Sequence, residues 1–391
     1  HLRKSRISLK EIADGCGFSD QNYFSKVFEF NVSEINYISY PNRGGSAESR
    51  ISNSFNIKLK NIIEGVPFMR KIILDVDTGT DDAIAIMCAL AAEELEVLSV
   101  CTVNGNRGIM YTTENTLRLL EYLGREEIPV YKGAHLPLVS TLPAWRRPEV
   151  PYGGKEFREM EIHGDWLELP PSKNKKAEDM DAVSFYIKYL TETKEKVTLV
   201  PVGPLTNLAL AFRAKPEIVE NIEEIVIMGA AYAHGNKTAA AEFNWWCDPE
   251  AAKIVMDCGA KITVVPLDAT HKACVKGSEA DEIEAGGTKA CLAAADMIKQ
   301  RIRGYSTFQP MGDDMAPVHD ALAVLYMLDP EVCEDVRPMY VDVDFGGGAS
   351  DGMSIVDVDK RYFDREPNCN FAFSANREKF VALLTKLLKA R

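Results

Sequence analysis

The sequence predicts an α/β protein for most of this chain: an open, mostly parallel sheet with helices on both faces, preceded by a small all-α helix-turn-helix segment. Three observations carry this. From Met69 onward, apolar strand-like runs at 71–75, 95–103, 197–202, 223–228 and 261–266 alternate with helical-period segments such as 111–123, 180–192, 204–213 and 248–257, the pattern of βαβ units. The first of these strands runs straight into a loop crowded with carboxylates. The composition, 391 residues that are 46% apolar and 26% charged, supplies an ordinary core with room for more than one domain.

Charge excludes some functions. Residues 1–70 carry ten Lys or Arg and seven Asp or Glu, a weakly basic +3, so with a net −13 overall the body that follows carries −16. Such a body is a poor partner for nucleic acid. The N-terminal run HLRKSRISLKEIADG lacks the apolar stretch of a signal peptide, and no run has the length of a membrane span, so a cytoplasmic location is expected. Nine cysteines without a C-x-x-C pair do not read as a disulfide framework or a zinc site; most are expected to be buried small hydrophobes.

Residues 7–30 read as two short helices joined at Gly15–Gly17, with Ser8 and Glu11 as a capping box and Ser19 as the second N-cap. Ile12, Phe18, Phe24, Val27 and Phe28 would form a small shared core. The positions Ile12, Ala13, Gly17, Phe18, Asp20, Tyr23, Phe24 and Phe28 resemble the second helix-turn-helix of AraC-type transcription regulators over about 35 residues. After Phe28 the basic residues usual in that family give way to Glu29 and Glu34. Because phosphate neutralisation dominates DNA affinity, DNA binding by this segment is doubtful, and it reads as a truncated fragment. The expected organisation is therefore 1–43 partial helix-turn-helix, 44–68 linker, and 69–391 the α/β domain.

The α/β domain opens with KIILDVDTGTDD at 71–82, where an apolar strand meets Asp75, Asp77, Asp81 and Asp82 within eight residues. Lys71 to Leu74 is apolar enough for a buried parallel strand, and Asp82 to Ala92 reads as the following helix. The acids thus fall on a strand-to-helix loop, the ligand-binding side of open α/β sheets. One or two of them would be explained as helix N-terminal acids. Four in one loop repel unless a cation joins them, and oxygen donors without interleaved Cys or His suit hard Ca2+ or Mg2+.

The pattern D-x-D-x-G-x-D-D-x-x-A, here Asp75, Asp77, Gly79, Asp81, Asp82 and Ala85, resembles the signature of the nucleoside hydrolase family, the inosine-uridine preferring N-ribohydrolases. A phosphatase motif of the haloacid-dehalogenase type would want Thr or Val at Gly79 and has no use for the Asp81–Asp82 pair. The resemblance continues in order along the chain. Thr102, Gly105 and Asn106 resemble the family's T-x-x-G-N segment, and Gly203 to Asn207 its G-P-L-T-N turn, before which Val202 would offer a backbone carbonyl to the metal. Met228, Gly229, Gly235, Asn236, Ala241–Glu242–Phe243–Asn244 and Asp248–Pro249 form the longest match, and His319–Asp320 resembles its H-D pair. His163 resembles an H-G segment, with Asp165–Trp166 departing from it.

What the resemblance implies is a ribonucleoside N-glycosidase, yielding free base and ribose through an oxocarbenium-like transition state. Ca2+ would be held by Asp77, Asp82, Asp320 and the Val202 carbonyl, and Asp77 would be general base on the water held there. Asp81, Asn106, Asn236, Glu242 and Asn244 would bind ribose hydroxyls, with Met228 also against the substrate and His163 a base contact. His319 would protonate the leaving base, or a residue in 300–312 would do so; Tyr305 and Phe308 in that stretch either stack on a base or pack. A small-molecule ribonucleoside substrate, a role in nucleoside salvage and a homodimer or homotetramer follow by family analogy. A transcription regulator using the hydrolase-like body as a nucleoside sensor is the alternative.

Overall fold

A computed structural model describes residues 69–142, 146, 162–309, 311–361 and 365–390, the side chain of Phe308 excepted. The helix-turn-helix reading of 1–43 and the linker reading of 44–68 lie outside the described residues. Elements follow in the order β1 (Arg70–Val76), α1 (Thr80–Ala91), β2 (Leu95–Thr102), α2 (Ile109–Leu123), β3 (Val130–Lys132), α3 (Ala182–Glu192), β4 (Val197–Pro201), α4 (Thr206–Ala214) and β5 (Ile222–Met228). Then come α5 (Phe243–Cys247), α6 (Pro249–Met256), β6 (Ile262–Val265), α7 (Leu267–Thr270), β7 (Cys274–Lys276), α8 (Gly277–Glu284) and α9 (Lys289–Phe308). The chain closes with β8 (Met315–Pro317), α10 (His319–Leu328), β9 (Cys333–Met339), β10 (Val341–Val343), β11 (Ser354–Val356), β12 (Cys369–Ala375) and α11 (Arg377–Lys389).

Eight strands make one sheet in the order β3-β2-β1-β4-β5-β6-β12-β9. All neighbours are parallel except β12 and β9. The middle strand β1 is covered on both sides, which is why it reads as a continuous apolar run. Its Ile72, Leu74 and Val76 enter one apolar layer with α1, α9, α10 and α11, while Ile73 enters the opposite layer with α3, α4 and α6.

Strand order reverses between β1 and β4. The helix after β1 goes to one face and the helix after β4 to the other, so the two loops part and leave a crevice at the carboxyl ends. The Val202 N–H donates to the Asp75 carbonyl at 2.8 Å, holding the end of β4 against β1 at that point.

The five predicted strands match β1, β2, β4, β5 and β6 to within two residues at each end. Three sheet strands escaped the sequence pattern for physical reasons. β3 is only three residues long. The edge strand β9, CEDVRPM, is largely polar and carries Pro338, which an edge tolerates. β12, CNFAFSA, is mixed in character and pairs antiparallel with that edge.

Candidate functional site

The acidic loop is built by its own backbone. Gly79 precedes α1, placing Asp81 and Asp82 in the first helical turn, where acids are favoured. The Asp82 carboxylate accepts from the N–H groups of Asp77 at 3.0 Å and Gly79 at 2.9 Å, and from Asn106 Nδ2 at 3.3 Å. Asp77 Oδ2 accepts the Asn106 N–H at 2.6 Å, and Asn106 Nδ2 donates to the Asp77 carbonyl at 3.2 Å. A Cβ on Gly105 would overlap the Asp77 carboxylate, and one on Gly203 would come within 2.7 Å of its Oδ1. Two glycines thus pinch Asp77 in place.

Asp75 plays a different part. It is fully buried, accepts from Tyr186 Oη at 2.9 Å and from Asn207 Nδ2 at 3.1 Å, and burial pushes its carboxyl up to about 7. Asn207 also donates to the Thr102 carbonyl and accepts from the Ala134 N–H at 2.8 Å, tying together the ends of three strands. The Asn of the G-P-L-T-N turn is therefore a brace beneath the acidic loop.

Asp320, in the first turn of α10, meets the loop from across the crevice. Carboxylate oxygens of Asp81, Asp82 and Asp320 lie within 4.8 Å of one another, all buried. Burial, then the neighbouring acids, push Asp82 up to about 7 and Asp77 and Asp320 well above the usual carboxylate range. Mutual repulsion among buried oxygen donors is the condition that a hard divalent cation relieves, so the residues fit such an ion. The Val202 carbonyl, assigned to the metal from sequence, accepts Asn244 Nδ2 at 2.7 Å. The buried triad includes Asp81, read from sequence as a ribose ligand, with Asp77 joined to it through Asp82.

The longest motif closes another wall. Glu242 is the N-cap of α5: its carboxylate accepts from the N–H groups of Asn244, Trp245 and Ala230, and burial raises it to about 7. Asn244 Nδ2 also donates to the Met228 carbonyl at 3.2 Å. Asn236 sits at the rim, its Oδ1 accepting the Phe243 N–H at 2.9 Å. Trp245 is wholly buried, whereas Trp246 lines the cavity. Asp248 caps α6 and takes the Thr206 hydroxyl at 2.6 Å.

At the far end stand longer side chains. His163 Nδ1 accepts the Thr80 N–H at 3.2 Å, which requires a neutral ring nitrogen; burial pushes this histidine down to about 4. His319 is gripped at both nitrogens, with Tyr305 Oη at 2.6 Å from Nε2 and Thr270 Oγ1 at 2.7 Å from Nδ1. Burial, then Arg301, hold it well below the ordinary histidine range. Arg301 is 1% exposed, donates through Nε to the Pro317 carbonyl at 2.8 Å and through Nη1 to Thr80 Oγ1 at 3.1 Å, and ion-pairs with Asp81 at 2.8 Å.

One cavity of about 1110 Å³ is lined by Asp77, Asp81, Asn106, His163, Val202, Met228, Asn236, Glu242, Asn244, His319 and Asp320, and equally by Arg301 and Tyr305. Asp82 is not among the lining side chains but joins Asp77 through the Asp77 N–H. Arg301 is what the sequence reading did not single out. The available signal is its register: Cys291, Ala294, Ile298, Ile302 and Tyr305 mark the buried stripe of α9, and a charged residue at 301 interrupts it.

The model of a family described as inosine-uridine preferring nucleoside hydrolase matches residues 72–382. The pyrimidine-specific ribonucleoside hydrolase RihA of Shigella boydii is 36% identical over 323 residues, covering 81% of this chain and 98% of that protein. RihA of Photobacterium profundum is likewise 36% identical, over 82% of this chain and 98% of its own. Among solved structures, the plant nucleoside hydrolase PpNRh1 superposes with a TM-score of 0.72 at 30% identity, over 82% of this chain and 99% of that one. A purine-preferring ribonucleoside hydrolase from Gardnerella vaginalis gives 0.71 at 31% identity, over 82% and 98%.

Proposed function

The chain belongs to the inosine-uridine preferring nucleoside hydrolase family and hydrolyses ribonucleosides, and from that premise we propose that it works with Ca2+ and prefers pyrimidine ribonucleosides. The observation that carries the reading is the gathering of buried Asp77, Asp81, Asp82 and Asp320 at the point where strand order reverses. Asp77, Asp82, Asp320 and the Val202 carbonyl would hold the ion, a set made wholly of hard oxygen donors. When bound, such an ion acidifies water and binds a vicinal diol.

The protein's own groups supply the rest. Asp77, fixed by the Asn106 N–H and the two flanking glycines, takes a proton from the attacking water. Asp81, Asn106, Asn236, Glu242 and Asn244 hold the ribose hydroxyls, with Met228 packed against the sugar. The surrounding carboxylates favour positive charge developing at C1′. His319 reaches the departing base through the Tyr305 hydroxyl, and His163 contacts the base directly.

Pyrimidine preference is favoured by the pyrimidine-specific relatives at 36% identity over the purine-preferring structure at 31%. Release of ribose from uridine, cytidine, inosine, adenosine and guanosine tests the reading, measured after chelation and again with Ca2+ restored. Uridine and cytidine should lead, and only with the ion present. Release that survives chelation, or that is faster from the purine nucleosides, would overturn the corresponding half.

A further inference from the structure

Both histidines of the cavity are committed. His319 has a partner on each ring nitrogen, and the inner nitrogen of His163 accepts from the backbone of Thr80. Arg301 is in the opposite condition. Its Nε and Nη1 are used by Pro317, Thr80 and Asp81, while its Nη2 has no partner among the described residues, and the side chain lines the cavity although it is only 1% exposed. A guanidinium buried this deeply with an unused donor facing a cavity is a poised hydrogen-bond donor of fixed charge.

We propose that Nη2 of Arg301 stabilises the departing base through a charge-assisted hydrogen bond to the 2-oxo oxygen of a pyrimidine. The inference deepens, and rests on, the pyrimidine reading above. In the step, the C1′–N1 bond breaks with its electron pair going to the ring, where negative charge spreads from N1 to O2. A water oxygen bonds to C1′, the water proton passes to Asp77, and the base takes a proton from solvent or through Tyr305. An arginine cannot supply that proton at neutral pH, yet it lowers the energy of the anion as charge reaches O2. Position agrees with this role. Arg301 bridges Asp81, on the acidic loop, to the Tyr305 ring, whose centroid lies 5.5 Å from the guanidinium carbon.

The test compares uridine with 4-nitrophenyl β-D-ribofuranoside, whose leaving group needs no stabilisation, in wild type and Arg301→Gln. Loss of the Asp81 ion pair affects the ribose of both substrates alike, so the ratio of the two losses isolates the leaving group. We expect kcat for uridine to fall about 100-fold with KM within a few-fold, the aryl riboside to fall less than about tenfold, and inhibition by free uracil to weaken. Equal losses on both substrates, or none, would overturn the proposal. Should Arg301→Gln melt below the assay temperature, Arg301→Lys is read by the same ratio. A wild-type enzyme that cleaves purine nucleosides but not uridine would instead overturn the pyrimidine reading beneath it.

Discussion

At the carboxylate end of the cavity, backbone groups hold side chains: Asp82 is fixed by the N–H groups of Asp77 and Gly79, Asp77 by that of Asn106, and glycines press from either side. At the histidine end, side chains hold one another, as Tyr305, His319 and Thr270 form one chain and Thr80, Arg301 and Asp81 another. Backbone geometry at the ends of β1, β2 and β4 is fixed by the sheet, so the first end tolerates little change of position. The second end depends on rotamers of a long helix and a loop, so it can be altered residue by residue. On the proposed assignment, the rigid end takes the ribose common to all substrates and the second end the base that varies.

The largest expected effect comes from removing the proposed base, at the rigid end. Asp77→Asn should cut kcat by about 10³-fold or more for every nucleoside and for the aryl riboside alike. A drop confined to some substrates would break the division between the ends. Gly105→Ala keeps every functional group yet drives a methyl into the Asp77 carboxylate, and a displacement on the order of 1 Å should cost about 100-fold in kcat with the fold intact by circular dichroism. Tyr305→Phe, at the adaptable end, should cost roughly tenfold to 100-fold with nucleosides and little with the aryl riboside. Substrate-independent loss there would show that Tyr305 acts on the ribose side instead.

The smallest effect lies in the strap that carries His163. The segment after it is laid along α2: Asn115 Oδ1 accepts the Leu167 N–H at 3.0 Å, and Glu121 accepts the consecutive N–H groups of Lys173, Asn174 and Lys175 together with the Ser172 hydroxyl. These donors hold the Glu121 carboxyl down to about 2. Because its folded value lies below the unfolded one of about 4.3, its contribution is complete above that pH and is lost as pH falls through about 2. Glu121→Gln should leave kcat within about twofold, speed amide exchange at 173–175 at neutral pH, and converge with wild type as the pH falls from about 4 toward 2.

The sequence revealed the rigid end because its constraints are local. A carboxylate that must sit beside a strand end is written as Asp next to Gly within a few positions, and so Asp77, Asp81, Asp82, Asn106 and Asp320 stand in readable motifs, as do the five central strands. The adaptable end was less legible. Arg301 meets Asp81 across 220 positions of chain, and nothing around it spells a motif; only the interrupted apolar stripe of α9 marks it. Likewise Thr270 and Tyr305 converge on His319 from two separate helices, and pairing across helices leaves no periodic trace. The edge strand β9 was missed because an edge strand need not be apolar, and its inner neighbour β12 because its sequence is mixed in character. The regulator alternative depends on residues outside those described, and membership of the hydrolase family decides against the phosphatase motif. Among the described residues no helix is long and apolar enough to cross a membrane.

The reversal of strand order between β1 and β4 separates two kinds of inheritance. What hangs from the strand ends is held by the sheet, and on the proposed roles changing it forfeits the reaction. What reaches in from α9 and from the His163 loop touches the scaffold at Asp81 and Thr80. A lineage can therefore drift in diet, from one nucleobase to another, while its hydrolytic engine stays as it is, and a protein engineer can recruit new aglycones by the same route.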